Sequence, residues 1–320
     1  MKAIIKSDEA IPPYDTHDSI LEKPSGLNPG QNAWLTLQLR VKLDFVDSNN
    51  LGNGGAIVRN GKLFAIDADG YLFEAQDWTS EEIAQFQRAY VRCAEDTWNY
   101  QFLLKTPEDY SELDYQSGGD TFRPNILCLF RLSVLDSKDA PLDRSPAAGP
   151  MRFGPPHQTI TVVNLNKTSR EPQFDSSVPH RTFGAGQKKF WRSSGRRLCD
   201  TDVITRRVVD ADNRVYLNTI GHEVGHLLGQ CHIMGLKGDP RYQKHGRLSE
   251  DIKAYGKGSS DRFDFWNIMG AGNRLYLINA VSWKERIPLH TGVSADQWQV
   301  TGLMNTPPRR LPRAPAGLRR

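Results

Sequence analysis

The chain is short of cysteine, has no long apolar run, and carries no acid at its C-terminal end. Each scarcity excludes something. Only 4 of the 320 residues are cysteine, namely Cys93, Cys128, Cys199 and Cys231. No pair has Cys-x-x-Cys spacing, so a cysteine zinc knot is not indicated, and two disulfides are permitted but not required. No apolar stretch approaches the roughly 20 residues of a membrane span. Residues Met1 to Ala10 are too few and too polar for a secretory leader. The expectation is a soluble protein, with cytosolic residence, leaderless export and a processed form all left open.

From Pro307 to Arg320 there is no Asp or Glu, while Arg309, Arg310, Arg313, Arg319 and Arg320 are all basic. These five outweigh the formal net charge of +4, so the rest of the chain has a slight acid excess. A nucleic-acid partner is therefore not expected, and residues 306–320 read as a disordered Pro/Arg-rich tail. The hydrophobic fraction of 38% is enough for a sizeable core. The chain allows one large domain or two small ones.

The stretch His222-Glu223-Val-Gly-His226-Leu-Leu-Gly229-Gln-Cys231-His232 carries the chemistry. Residues four apart lie on one helix face, so His222 and His226 can share a metal ion. Glu223 stands beside the first ligand, within reach of a water on that metal. Gly229 suits a left-handed helix end, after which the chain can return His232 as a third ligand. Three nitrogens and an open position describe a catalytic zinc site. The bland alternative is a helix with solvated or core histidines. Against it, the full spacing is expected by chance on the order of once in ten thousand such chains. Cys231 adjoins a ligand and reads as a packing or disulfide residue.

This stretch resembles the metzincin signature of zinc metallopeptidases. Asn267-Ile268-Met269-Gly270, downstream, resembles the methionine turn of that clan, with Met269 as an apolar floor under the ligands. The resemblance implies one catalytic Zn²⁺ on His222, His226 and His232. It implies Glu223 as the general base of a zinc endopeptidase acting on a protein or peptide substrate. The implied fold is α+β: a mixed twisted sheet with two long helices in an upper half (31–229), then an irregular lower half (230–305) with the methionine turn and a closing helix. A monomer is expected. Ile233, after the third histidine, matches no subfamily. Where some subfamilies place a tyrosine, two residues past the turn methionine, this chain has Ala271, and Tyr276 is off-pattern. The closest match is to the matrixin-like, three-histidine enzymes. A zinc-binding interaction or toxin-scaffold protein without proteolysis is the competing reading, and the retained Glu223 counts against it. A leaderless effector protease acting in another cell is a third.

Elsewhere the pattern is coarser. Residues 1–30 read as an extended N-terminal arm, in which Asp15, His17 or Asp18 could cap the metal. Trp34 to Val46 alternates as a half-buried strand. Ala56 to Ile66 and Gly70 to Ala75 read as strands, with Asp67 and Asp69 as turn formers. Thr79-Ser-Glu-Glu82 is a capping box opening a helix through Phe86, Tyr90, Ala94 and Trp98, with its end expected near Leu104. Asn125 to Leu135 and Thr159 to Leu165 read as strands, the second either internal or a substrate-pairing edge. His180 to Asp200 is basic and Gly-rich and reads as a solvated loop, with lining of a substrate groove as the alternative, and His245 is expected exposed. Val203 to Val209 is a short strand. Asp212 or Asn213 is expected to cap the active-site helix, with Val215 and Leu217 on its buried face. Ser294-Ala-Asp-Gln297 is expected to open the closing helix.

Overall fold

Strand β3 (Ala33–Phe45) runs through the middle of the protein. Its alternating residues Leu35, Leu37, Leu39, Val41 and Leu43 all enter the main core. The opposite face is also covered: Thr36, Gln38 and Arg40 are buried. The half-buried strand expected from the alternation is thus covered on both faces, one apolar and one polar. In the computed structural model, residues 3–8, 17–23, 31–52, 54–66, 71–135, 155–165, 194–203, 206–210, 213–238, 255–256, 261–302 and 309–310 are described. Asp15, Asp67, Asp69, His245, the basic segment 180–193 and most of 306–320 lie outside the described residues.

The fold is α+β, with a mixed sheet and few helices. β10 (Ile126–Leu135) lies parallel to β3 along its length, from Ile126 beside Ala33 to Leu135 beside Lys42. On its other side β3 pairs first with β2 (Asp18–Lys23), antiparallel, and then with β11 (Gln158–Leu165), parallel. β2 in turn pairs with β1 (Ala3–Asp8). The described parts of the first residues, expected as an extended arm, are extended as strands of the sheet. Beyond β11 a meander of β4 (Ala56–Arg59), β5 (Lys62–Ile66) and β6 (Leu72–Gln76) completes one side. β11 also pairs with β12 (Arg197–Cys199), so it is internal, and its possible role as an edge strand is set aside. On the other side β10 pairs with β7 (Phe102–Lys105), and β7 with β15 (Gln299–Gly302). A small sheet joins β8 (Tyr115–Ser117), β9 (Asp120–Arg123) and β16 (Arg309–Arg310).

Helix α1 (Ser80–Trp98) starts at the expected capping box: Thr79 accepts from the Glu82 N–H, and the Glu82 carboxylate accepts from the Thr79 N–H. It buries Phe86, Tyr90, Ala94 and Trp98, one face at four-residue spacing. It stops at Asn99 rather than near Leu104, because residues 102–105 are recruited as β7. The end of α1 also serves the sheet. β10 runs past β7, which would leave N–H groups on that side without partners. Asn99 Oδ1 accepts from Phe130 N (3.2 Å) and Glu95 Oε1 from Leu132 N (3.0 Å).

Three corrections concern the second half. Residues 213–217, expected in the active-site helix, form β14 (Asn213–Leu217), paired antiparallel with β13 (Arg206–Asp210). The alternation Arg-Val-Tyr-Leu suits that hairpin, and helix α2 (Thr219–Leu227) begins only after it, capped by Asn218. It is therefore a short helix, not a long one. Short helices α3 (Ile233–Leu236) and α4 (Arg262–Trp266) follow. The long helix of this half is α5 (Val281–Thr291), unforeseen because it carries Pro288 within it. Ser294–Gln297, expected to open a separate closing helix through Trp298 and Val300, instead heads a single 3₁₀ turn (Ala295–Gln297) that leads into β15.

α5 welds the two ends of the fold. Trp283 donates to Leu129 O at 3.0 Å and packs against Phe102. Arg286 donates to His17 O at 2.8 Å, and His290 Nε2 meets Ser19 Oγ at 2.8 Å. Nearby, the buried Asp18 carboxylate pairs with the Arg40 guanidinium and with His157. All four cysteines carry free thiols. Among the described residues no helix is long and apolar enough to cross a membrane.

Candidate metal centre

The first turn of α2 is fixed from behind. Asn218 accepts from Gly221 N at 2.9 Å, and its amide donates to Thr97 of α1. Trp98 donates to Gly221 O at 2.9 Å. These contacts set α2 against α1 with His222, Glu223 and His226 in register. The helix ends as expected: Gly229 takes φ +86°, Gly229 N donates to His226 O at 3.0 Å, and Gln230 N donates to Gly225 O at 2.9 Å. That pair of reversed bonds is a Schellman end, which glycine accepts without a steric penalty. The chain then turns back, and His232 joins the first two histidines.

The three imidazoles converge through Nε2. His226 Nε2 lies 3.1 Å from His222 Nε2 and 3.2 Å from His232 Nε2. Tetrahedral ligands at about 2.0–2.1 Å from an ion stand roughly 3.3 Å apart, which fits these separations. The proton positions point the same way. His222 Nδ1 donates to Ile268 O at 2.6 Å, and His226 Nδ1 donates to Gln230 O at 2.8 Å. With Nδ1 protonated, the Nε2 lone pairs of these neutral rings face one another, a repulsive arrangement that a cation relieves. Burial holds all three rings below the usual histidine range, with neighbouring histidines adding to the effect at His222 and His232. His232 falls to about 3. Neutral rings are what a metal needs as ligands. The donor set fits a divalent metal of the zinc type.

Glu223 is buried beside His222, and burial, then the Asp202 carboxylate, pushes it up to about 8. A dication next to it would oppose that shift. Met269 is fully buried beneath the helix, and Ile233 N donates to Met269 O at 3.0 Å. Gly225, between the two helical histidines, leaves room for the thioether.

A buried polar network, not visible in the sequence, holds this arrangement together. Asn267 Oδ1 accepts from Met269 N at 2.8 Å and Asn267 Nδ2 donates to Asn279 Oδ1 at 2.9 Å. Asn279 donates back to Asn267 and to Gln230. Gln230 Nε2 donates to Asn279 O and Ser282 Oγ, and Ser282 donates to Leu228 O. The Met269 turn, the residue that orients His226 and the start of α5 are thereby one unit. Tyr255 was also missed: its ring lies 5.5 Å from the His222 ring and 4.0 Å from that of His232.

His17 and Asp18, considered as metal caps, lie instead with Arg286 and Arg40. Among the described residues, His222, His226 and His232 are the only group of side chains placed so that they could hold a metal ion. A cleft of about 600 Å³ opens one helical turn before His222, between Thr97, Asn218, Phe263, Arg274 and Tyr276. No family model, curated protein or solved structure matches the chain.

Proposed function

We propose that the protein is a zinc-dependent endopeptidase of metzincin type, with Zn²⁺ on His222, His226 and His232 and Glu223 as the general base. The observation that carries this reading is the convergence of three imidazoles, with His226 Nε2 3.1 and 3.2 Å from the other two, on a helix whose residue after His222 is a buried glutamate. A divalent ion held there supplies Lewis-acid polarisation of a carbonyl and makes water acidic enough to react near neutral pH. The chain's own residues do the rest. Glu223 accepts a proton from the attacking water and returns it to the leaving amine. The carbonyls of Ile268 and Gln230 hold two imidazoles in the tautomer that turns Nε2 inward. Met269 packs under the ligands without binding the ion.

Glu223→Gln tests the role of the carboxylate. It keeps the side chain's size but removes the base. Zinc stoichiometry and folding should survive, and peptide cleavage should fall at least roughly 10²–10⁴-fold. A variant that cleaves as fast as wild type rejects Glu223 as the base. A zinc-loaded wild type that cleaves nothing across a broad peptide library favours a binding role for the same centre. Metal analysis that finds no zinc in wild type, or undiminished zinc after His226→Ala, rejects the centre itself.

A further inference from the structure

The three histidines are not held in the same way. His222 and His226 each donate Nδ1–H to a backbone carbonyl. His232 has no such bond among the described residues; it heads α3 through its backbone, Leu236 N donating to His232 O, and its side chain makes no capping bond. Groups that fix the plane of a ligand imidazole strengthen metal binding.

Tyr255 is placed to do so. Its ring centroid stands 4.0 Å from that of His232 with 42° between the planes, and 5.5 Å from that of His222 with 30°. His222 and His232 are themselves 5.4 Å apart at 28°, so the three rings form one block. Tyr255 is in turn seated against the Met269 turn: a β-carbon at Gly270 would lie 3.0 Å from Tyr255 O.

We infer that Tyr255 is the positioning residue for His232, its ring setting the plane of the imidazole and presenting Nε2 to the metal. The inference rests on the reading of the three histidines as a metal centre. It assigns a function to the ring and none to the hydroxyl.

The test uses the full chain, Zn²⁺ and a competing chelator. Tyr255→Leu should weaken Zn²⁺ binding by roughly 10–100-fold, the usual effect of losing a group that orients a ligand. Tyr255→Phe keeps the ring and should bind as wild type does. Cobalt(II) in place of zinc should give an altered visible spectrum in Tyr255→Leu and a wild-type one in Tyr255→Phe. Unchanged affinity in Tyr255→Leu overturns the inference. So does an equal loss in Tyr255→Phe, which would make the hydroxyl the operative group. A second measurement does not depend on the folding of a variant. In metal-free wild type with labelled histidines, the His232 ring protons should be shifted upfield by the Tyr255 ring current. Resonances at free-histidine positions overturn the stack. Wild type that binds no Zn²⁺ rejects the metal centre instead, and the ring-current shift still reports on the stack.

Discussion

The Met269 sulfur occupies the space that a side chain at residue 225 would need. A β-carbon on Gly225 would stand 2.3 Å from Met269 Sδ and 2.9 Å from the Trp98 ring. The glycine between the two helical histidines is therefore a packing requirement, and it ties the helix to the turn beneath it.

Gly225→Ala should accordingly destabilise the fold by about 1–3 kcal/mol, as expected for overpacking a close contact. Urea unfolding with and without Zn²⁺ measures it. The double variant Gly225→Ala with Met269→Ala should recover part of the loss, because it removes the clashing thioether. No loss in the single variant would show that the turn moves freely.

Met269→Leu should retain the metal, at a cost of about 1.5 kcal/mol or less for a swap of similar volume. Chelator competition separates the two roles. Loss of the metal in a folded Met269→Leu would show that the sulfur does more than pack.

Asn279→Ala removes the hub between Gln230 and Asn267, both almost fully buried. Gln230 Oε1 and Asn267 Nδ2 would each lose their bond to the Asn279 side chain, so the variant should lose about 1–3 kcal/mol. Metal affinity should fall with it, because Gln230 O orients His226. Denaturation and zinc titration of one preparation test both outcomes. A stable variant with normal affinity would show that the network is dispensable.

The metal-free protein should lose stability as the pH falls. Folded His232 titrates at about 3, against 6.5 for a free histidine. Between those values the unfolded chain binds a proton that the folded one does not, so lowering the pH favours unfolding. Above about 6.5 neither state is protonated there and the contribution vanishes. His222 and His226 are shifted in the same direction and add to the slope. Thermal melts of chelated protein across this window should show it, and His232→Gln should flatten part of it. A flat profile in wild type contradicts the burial of these rings.

Local signals were legible and long-range ones were not. The Thr79–Glu82 capping box and the four-residue spacing of Phe86, Tyr90, Ala94 and Trp98 located α1 directly. The alternation in β3 and the apolar runs of β10 and β11 located the sheet's centre. The convergence of His222, His226 and His232 followed from helix geometry and the glycine turn. Val215 and Leu217 misled because two residues spaced by two fit a strand as readily as the flank of a helix, and pairing with β13 decided it. α5 was hidden by Pro288. Tyr255, Gln230 and Asn279 gave no local sign, since each acquires its role from partners distant in the chain.

One such distance bears on how the molecule is made. Ser19 and His290 meet across 271 positions of sequence, and His17 meets Arg286 nearby. Strand β2 and the preceding His17 leave a ribosome before the helix that covers Ser19 and His17 has been synthesised. The sheet's polar face must wait, wet and unsealed, until α5 emerges. Folding on the ribosome should therefore be late and abrupt, with the nascent chain open to proteases until α5 has been made.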